Sequence, residues 1–216
     1  MKRFAVLLVL FITFSTTAQQ KPFWDEIKAF RVADSIQEPH EGMILFIGSS
    51  SFRLWKTVND DFHNTRILNR AFGGATLEDV IRYQDNVVLK YKPKKIFLYC
   101  GENDIASSEK VTPEIVFERF KMLYGTMQAK FPDVPIVFVS IKPSILRWSM
   151  KDRMMAANAL ISNYLKDKPN AVFVNVWDKM LENGKPMKDI FIEDNLHMNQ
   201  KGYAIWTKEM EALVNN

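Results

Sequence analysis

The feature that most constrains this fold is a regular alternation of short apolar runs with segments of helical periodicity. Four of the five apolar runs are nearly continuous aliphatic, β-branched and aromatic residues. Strands of a parallel sheet have this composition, because helices cover both of their faces. The sequence therefore predicts five strands, at residues 43–47, 66–69, 95–99, 136–141 and 171–176.

Between these runs, apolar residues recur at a spacing close to the 3.6 residues of a helical turn. One helix start is explicit, because Thr112 is a typical N-cap and Pro113 suits the first helical position. Strands that alternate with helices form right-handed crossovers. We therefore predict an α/β fold, a three-layer α/β/α sandwich around a five-stranded parallel sheet. The predicted helices are residues 22–36, an extra N-terminal element, and then 76–90, 113–131, 150–165 and 199–214.

The N-terminus has the pattern of a secretory signal peptide. Lys2 and Arg3 precede an apolar run from Phe4 to Phe14, and small residues lead to Ala18. We predict a signal peptide at residues 1–18, an exported protein in the periplasm or outside the cell, and one domain over residues 19–216. A retained anchor is the alternative, although the run is too short to span a bilayer comfortably.

Composition fits one globular domain with a substantial core, because 47% of the 216 residues are hydrophobic. The formal charge of +4 falls to +2 without Lys2 and Arg3, and the other basic residues lie among acidic ones, so no nucleic-acid partner is expected. The single cysteine, Cys100, cannot form an internal disulfide and is expected to be buried. Acidic and histidine residues do not cluster at ligand spacing, so we expect neither a metal nor a cofactor.

Small polar residues follow the first three predicted strands. They form the segments Gly48-Ser49-Ser50, Gly73-Gly74 and Gly101-Glu102-Asn103-Asp104, and a fourth segment, Asp194-Asn195-Leu196-His197, precedes the last helix. Ligands of such sheets bind outside the carboxyl ends of the strands. The sequence therefore predicts that the four segments meet on one rim.

Three of these residues are candidates for acyl-transfer chemistry. Ser50 is the candidate nucleophile, His197 the candidate base, and Asp194 the carboxylate that orients the imidazole. The alternatives are structural: the three consecutive serines could cap a helix, and Asp194 could belong to a turn. Composition alone does not decide which of the three serines attacks.

The backbone N–H of Ser50, Gly74 and the side chain of Asn103 are candidates for an oxyanion hole. Ordinary turn chemistry is the alternative for both Gly74 and Asn103. Trp148 follows the fourth predicted strand and is a candidate for stacking on a sugar face, with packing on the protein surface as its alternative.

Taken together, the four segments resemble the blocks of the SGNH, or GDSL-type, serine esterase and lipase superfamily, and the chain looks closest to its branch resembling platelet-activating-factor acetylhydrolase. Gly48-Ser49-Ser50 resembles the first block, Gly-Asp-Ser, and residues 69–76 the second. Gly101-Glu102-Asn103-Asp104 matches Gly-x-Asn-Asp, and Asp194-Asn195-Leu196-His197 matches Asp-x-x-His. One departure is Ser49, where the family has Asp.

The resemblance implies a flavodoxin-like fold and ester hydrolysis without a cofactor. By position, it implies that Ser50 is the nucleophile, that Gly74 and Asn103 line the oxyanion hole, and that Asp194 and His197 complete the triad. We expect an exported serine esterase for small acyl esters, including O-acetyl groups on carbohydrate. The alternatives are a lysophospholipase or thioesterase of the same superfamily, or a non-catalytic relative that binds glycans or phosphate.

Overall fold

The computed structural model describes residues 22–62 and 66–215, so the predicted signal peptide at residues 1–18 lies outside the described residues. Five parallel strands form the main sheet of the described part, in the order β2-β1-β3-β4-β5. This is the flavodoxin-like order, which confirms the predicted fold class. The strands are β1 (Ile44–Gly48), β2 (Ile67–Asn69), β3 (Lys95–Tyr99), β4 (Ile136–Val139) and β5 (Ala171–Val174).

The strands are apolar throughout because both faces of the sheet are covered. Leu45 and Leu98 point into one buried cluster, and Phe46 and Phe97 point into the other. The rings of Phe46 and Phe97 lie with their centroids 4.8 Å apart on neighbouring strands. Burial on both sides removes the alternation of polar and apolar residues that a half-exposed strand would have.

Helices form the two outer layers. Buried helical residues of the first cluster come from α1, α4, α5, α6 and α7, and those of the second come from α2, α3 and α8. A hairpin of β6 (Leu181–Glu182) and β7 (Lys185–Pro186) follows β5. No helix in the described ranges has both the length and the apolar character that crossing a membrane requires. The helices are α1 (Trp24–Ile36), α2 (Ser50–Arg53), α3 (Val58–Asp61), α4 (Leu77–Arg82), α5 (Glu102–Ser107), α6 (Pro113–Lys130), α7 (Lys151–Leu165) and α8 (Gln200–Asn215).

The prediction of one helix over residues 76–90 is wrong. Helix α4 ends at Arg82, and a single π-helical turn follows at Asp85–Leu89. A π turn holds more residues than an α turn, and here the adjacent side chains of Val87 and Val88 are both fully buried. The bounds of the short helices α2, α3 and α5 were not predicted, because four to six residues are too few to reveal a period.

The order of the strands reverses between β1 and β3, which both lie at the centre of the sheet. Ser50 follows β1, and Asn103 follows β3. The fold therefore places these two residues at the switch point, where open α/β sheets form a crevice.

Candidate active site

Ser50 is the first residue of α2 and follows β1 by a single residue. The intervening Ser49 is extended (φ −110°, ψ −169°), so the chain turns sharply into the helix. Gly48 allows this turn, because its φ is 121° and a Cβ there would lie 1.9 Å from the carbonyl oxygen of Tyr99. The turn leaves Ser50 partly exposed at the carboxyl end of the strands.

Asp194 and His197 lie in one tight turn. Asp194 Oδ1 accepts hydrogen bonds from the backbone N–H of Leu196 (2.9 Å) and of His197 (2.8 Å), which is the local bonding that makes Asp a turn residue. Asn195 between them is in the left-handed region, with φ 56°. The turn leaves the second carboxylate oxygen free to face the imidazole.

The structure brings Ser50, His197 and Asp194 together in one chain of hydrogen bonds. Nε2 of His197 lies 3.0 Å from Ser50 Oγ, and Nδ1 lies 2.5 Å from Asp194 Oδ2. Partial burial by itself would raise the pKa of Asp194, but hydrogen bonds from the His197 side chain and from two backbone N–H groups lower it below its usual value. An ionised Asp194 accepts from Nδ1–H, and this tautomer leaves Nε2 as an acceptor for the Ser50 hydroxyl.

The candidate oxyanion donors differ in their present partners. Gly74 is exposed with φ 70°, and no acceptor among the described residues contacts its N–H. Asn103 Nδ2 donates to Ser49 Oγ (2.8 Å) and to the carbonyl of Ala75 (3.1 Å). Both amide hydrogens of Asn103 are therefore engaged, and a bound oxyanion would have to displace one of these acceptors. Ser49, the departure from the family pattern, is one of them.

Arg147 fixes the orientation of the Asn103 amide. Its Nη2 donates to Asn103 Oδ1 at 2.9 Å. Because a guanidinium has no acceptor, the amide oxygen must face Arg147 and the nitrogen must face Ser49. The contact with Asn103 was not predicted, since nothing in the spacing of Arg147 marks it as a partner of that residue.

The extra N-terminal helix supports the glycine loop. The carboxylate of Glu26, in α1, accepts from the Gly73 N–H at 3.2 and 3.3 Å and forms an ion pair with Arg53 in α2. One side chain thus connects the residue before Gly74 to the helix that begins at Ser50. No sequence pattern indicates this contact, because the three residues are distant along the chain.

A buried ion pair lies behind the rim. Lys142 Nζ is 3.1 Å from Glu102 Oε2 and donates to the carbonyl of Leu196 at 2.8 Å. Burial lowers the pKa of Lys142, with Glu102 opposing that shift. Burial alone would raise the pKa of Glu102, but Lys142 and Arg147 hold it below its usual value. Lys142 directly follows the apolar run of the fourth predicted strand, and this position in the sequence could have indicated a buried lysine.

The other singled-out residues are structural partners. Trp148 is half-buried and stacks on Trp177 with ring centroids 6.1 Å apart, so one of its faces is occupied. Cys100 is free and buried, as expected. Asp104 accepts from the Leu77 N–H (2.9 Å) and so fixes the start of α4. Within residues 22–62 and 66–215, no group of three or more His, Cys, Asp or Glu residues is arranged to hold a metal ion.

A doubly wound sheet with a serine, a histidine and a carboxylate joined at its switch point defines the architecture of an α/β hydrolytic enzyme. The chain belongs to the GDSL-like lipase/acylhydrolase family, whose model matches residues 47–205. Membership in this family makes the protein a carboxylic ester hydrolase. Helix α1, with Glu26, lies outside the matched residues.

Solved structures with low sequence identity share the fold. A protein from Streptococcus pneumoniae, provisionally named a platelet activating factor, has a TM-score of 0.77 and 20% identity over 88% of this chain and 91% of its own. A GDSL-like lipase from Bacteroides thetaiotaomicron has a TM-score of 0.74 and 20% identity over 88% and 97% of the two chains. A carbohydrate esterase family 3 protein from Talaromyces cellulolyticus has a TM-score of 0.63 and 14% identity over 81% and 96%. No curated protein matches the chain significantly.

Proposed function

We propose that this protein is an exported serine esterase that hydrolyses small acyl esters through an acyl-enzyme on Ser50. The observation that carries the proposal is the continuous hydrogen-bond chain from Ser50 Oγ through His197 to Asp194, with contacts of 3.0 and 2.5 Å. A serine hydroxyl is a weak nucleophile without a base. The hydrogen-bond chain supplies such a base, because the carboxylate of Asp194 already orients the imidazole of His197.

In the proposed reaction, Nε2 of His197 takes the proton of Ser50 as Oγ attacks the acyl carbonyl carbon. His197 then gives that proton to the departing alcohol, and the acyl group stays on Ser50. Water then enters, and His197 takes its proton as the water oxygen attacks the acyl carbon. His197 returns that proton to Ser50 Oγ as the bond between the acyl carbon and Oγ breaks and the acid leaves. Asp194 remains ionised throughout and stabilises the imidazolium that forms in each half-reaction.

Negative charge on the carbonyl oxygen would be stabilised by the backbone N–H groups of Ser50 and Gly74 and by Asn103 Nδ2. Ser50 also opens a helix, where the first N–H groups have no helical partner and attract an anion. The Gly74 N–H is unengaged among the described residues, so it needs no rearrangement. For Asn103, the incoming oxyanion replaces Ser49 or Ala75 as an acceptor.

For the substrate we propose O-acetyl groups on carbohydrate as the first class to test. The predicted export and the carbohydrate esterase among the proteins of similar fold support this class. Trp148 stays a weak candidate for sugar contact, because Trp177 covers one face of its ring.

A second candidate substrate class is supported by the rim itself. The side chains of Leu146 and Ile192 are exposed apolar groups, at 60% and 47%. Both flank the histidine turn, because the Leu146 N–H donates to the Asn195 carbonyl (3.0 Å) and the Ile192 N–H donates to the His197 carbonyl (2.9 Å). Such a rim suits an apolar acyl chain, as in a lysophospholipid or an acyl thioester.

Hydrolysis of p-nitrophenyl acetate by the protein beginning at Gln19 tests the proposal. We expect turnover that Ser50→Ala abolishes, and stoichiometric labelling of Ser50 by a serine-directed phosphonate. Ser149→Ala, at an exposed serine, is the matched control and should keep full activity. A well-folded protein with neither hydrolysis nor labelling would instead indicate the non-catalytic relative that binds glycans or phosphate.

Two further measurements address the finer parts of the proposal. Initial rates on acetylated sugars, lysophospholipids and acyl thioesters rank the substrate classes, and acetylated sugars should lead. N-terminal sequencing of the full-length product after expression should begin at Gln19 if the signal peptide is removed. Retention of Met1 on a membrane-bound product would contradict export with cleavage.

A further inference from the structure

The buried pair of Glu102 and Lys142 has no role in the proposed proton transfers. Their side chains are only 7% and 0% exposed. The removal of two charges from water costs free energy that their attraction often fails to recover, so a buried ion pair is weak evidence of a stabilising role. The presence of this buried pair needs another explanation, and its other contacts provide one.

Lys142 connects the pair to the proposed base. Its Nζ donates at 2.8 Å to the carbonyl of Leu196, the residue directly before His197. Leu196 belongs to the same turn in which Asp194 orients the imidazole. The ammonium group therefore binds the backbone of the histidine turn at a carbonyl that the Asp194 contacts leave free.

Glu102 connects the pair to the proposed oxyanion donor. Glu102 directly precedes Asn103 in α5, and its carboxylate accepts from Tyr99 OH at 2.7 Å and lies 3.4 Å from Arg147 Nη1. The same guanidinium donates through Nη2 to Asn103 Oδ1. The amide of Asn103 is thereby fixed to Glu102 both through the backbone and through Arg147.

We propose that Lys142 and Glu102 are positioning residues that keep the histidine turn and Asn103 in register with each other. This inference rests on the proposed function, because it assigns the pair to the geometry of that site. The salt bridge and its hydrogen bonds connect three segments, those after β3, after β4 and before α8. Loss of the pair lets the two halves of the site move apart, and a displacement of about 1 Å reduces turnover by up to roughly 100-fold.

Lys142→Met is the primary test, because Met has a similar length and no charge. With p-nitrophenyl acetate we expect kcat to fall about 10- to 100-fold with KM nearly unchanged. We also expect the downfield proton resonance of His197 Nδ1–H to shift or broaden. Lys92→Met is the matched control, since Lys92 pairs with Glu41 at an exposed position, and both its kcat and its His197 resonance should match the parent.

The double variant Glu102→Gln/Lys142→Met separates positioning from bulk stability. It leaves no unpaired charge in the ion pair, so thermal unfolding should return towards that of the parent. The Leu196 carbonyl still lacks its donor, so we expect low kcat to persist; recovery of kcat together with stability would overturn the proposal. If Lys142→Met does not fold, Glu102→Gln alone carries the same kinetic test.

A folded Lys142→Met protein with parental kcat and an unchanged His197 resonance would also overturn the inference. Failure of the proposed function has a different signature, because the parent protein itself would then lack hydrolysis that depends on Ser50. The His197 resonance is measured without substrate, so it reports on the pair even in that case.

Discussion

The hydroxyl oxygen of Ser50 lies 3.0 Å from Nε2 of His197, although 147 positions separate the two residues in the chain. The packing of α8 against the start of α2 maintains this contact. Tyr203, in α8, donates its hydroxyl to the carbonyl of Ser51 at 2.9 Å, and Trp206 packs edge-on against Phe52. The helix that follows His197 is therefore docked directly on the helix that begins at Ser50. The proposed site is held by core packing, so truncation of a reacting side chain at the rim should alter activity more than stability.

Asp194→Asn should reduce kcat on the order of 10⁴-fold, by comparison with carboxylates in the same role elsewhere. The amide oxygen can still accept from the two backbone N–H groups of the turn, so the turn should survive. An amide nitrogen that faces Nδ1 would select the wrong imidazole tautomer. Steady-state kinetics measure the loss, and Glu193→Gln at the exposed neighbouring residue is the control. A loss of less than tenfold would contradict the orienting role.

Asn103→Ala should reduce kcat by roughly 100- to 1000-fold, the usual effect of losing one oxyanion donor. KM should change little, because charge develops on the substrate oxygen only as the reaction proceeds. Kinetics on p-nitrophenyl acetate test this expectation, with Ser107→Ala, on the same helix, as the control. Unchanged kcat would mean that Asn103 stays bound to Ser49 and Ala75 throughout the reaction.

The sequence was sufficient to predict the sheet and the rim. Strand composition indicated burial on both faces, and the carboxyl ends of parallel strands share one rim, so Ser50 and Asn103 could be expected on the same rim. Asp194 and His197 are close in the chain, and a turn brings them together almost without regard to the rest of the fold.

The supporting contacts could not be predicted in the same way. Lys142, Arg147 and Glu26 act through side chains whose partners depend on loop conformation and rotamers, which no periodicity encodes. The π-helical turn at Asp85–Leu89 was missed for a related reason. Adjacent apolar residues are compatible with an α-helix, and the sequence alone does not show that the core buries both of them. Tertiary packing, rather than local preference, determined these features.

Two glycines of the rim should respond very differently to substitution by alanine. In Gly48→Ala the new Cβ would lie 1.9 Å from the carbonyl oxygen of Tyr99, so we expect a protein that does not fold. In Gly74→Ala the Cβ meets nothing within 4 Å, and only the left-handed backbone costs about 1–2 kcal/mol. Urea unfolding measures both effects. Hydrolysis by Gly74→Ala should persist, because the backbone N–H remains; its complete loss in a folded variant would show that more than this N–H is required.

Stability should depend on pH through Asp34, whose hydrogen-bond partners are Arg70, Lys90 and Tyr91 rather than residues of the proposed triad. Its carboxylate forms ion pairs with Arg70 and Lys90 and accepts from the Tyr91 hydroxyl at 2.7 Å. Burial alone would raise the pKa of Asp34, but the hydrogen bonds from Lys90, Tyr91 and Arg70 lower it overall. Since the folded-state pKa is below that of the unfolded chain, ionised Asp34 stabilises the fold above the unfolded pKa of about 3.9.

Asp34→Asn should therefore cost about 1–3 kcal/mol of unfolding free energy at pH 7, because two cations lose their charged partner. The difference in unfolding free energy between the variant and the parent should shrink as the pH falls from about 4 towards the lowered folded-state pKa of Asp34. The parent carboxyl becomes protonated in this range and loses its charge as well. Urea unfolding of both proteins at pH 7 and pH 3 measures the two differences. Asp60→Asn, at an exposed carboxylate in α3, should show almost no difference at either pH. If the deficit of Asp34→Asn is the same at both pH values, the stabilisation does not come from the ionised carboxylate, and the ion pairs of Arg70 and Lys90 contribute through packing alone.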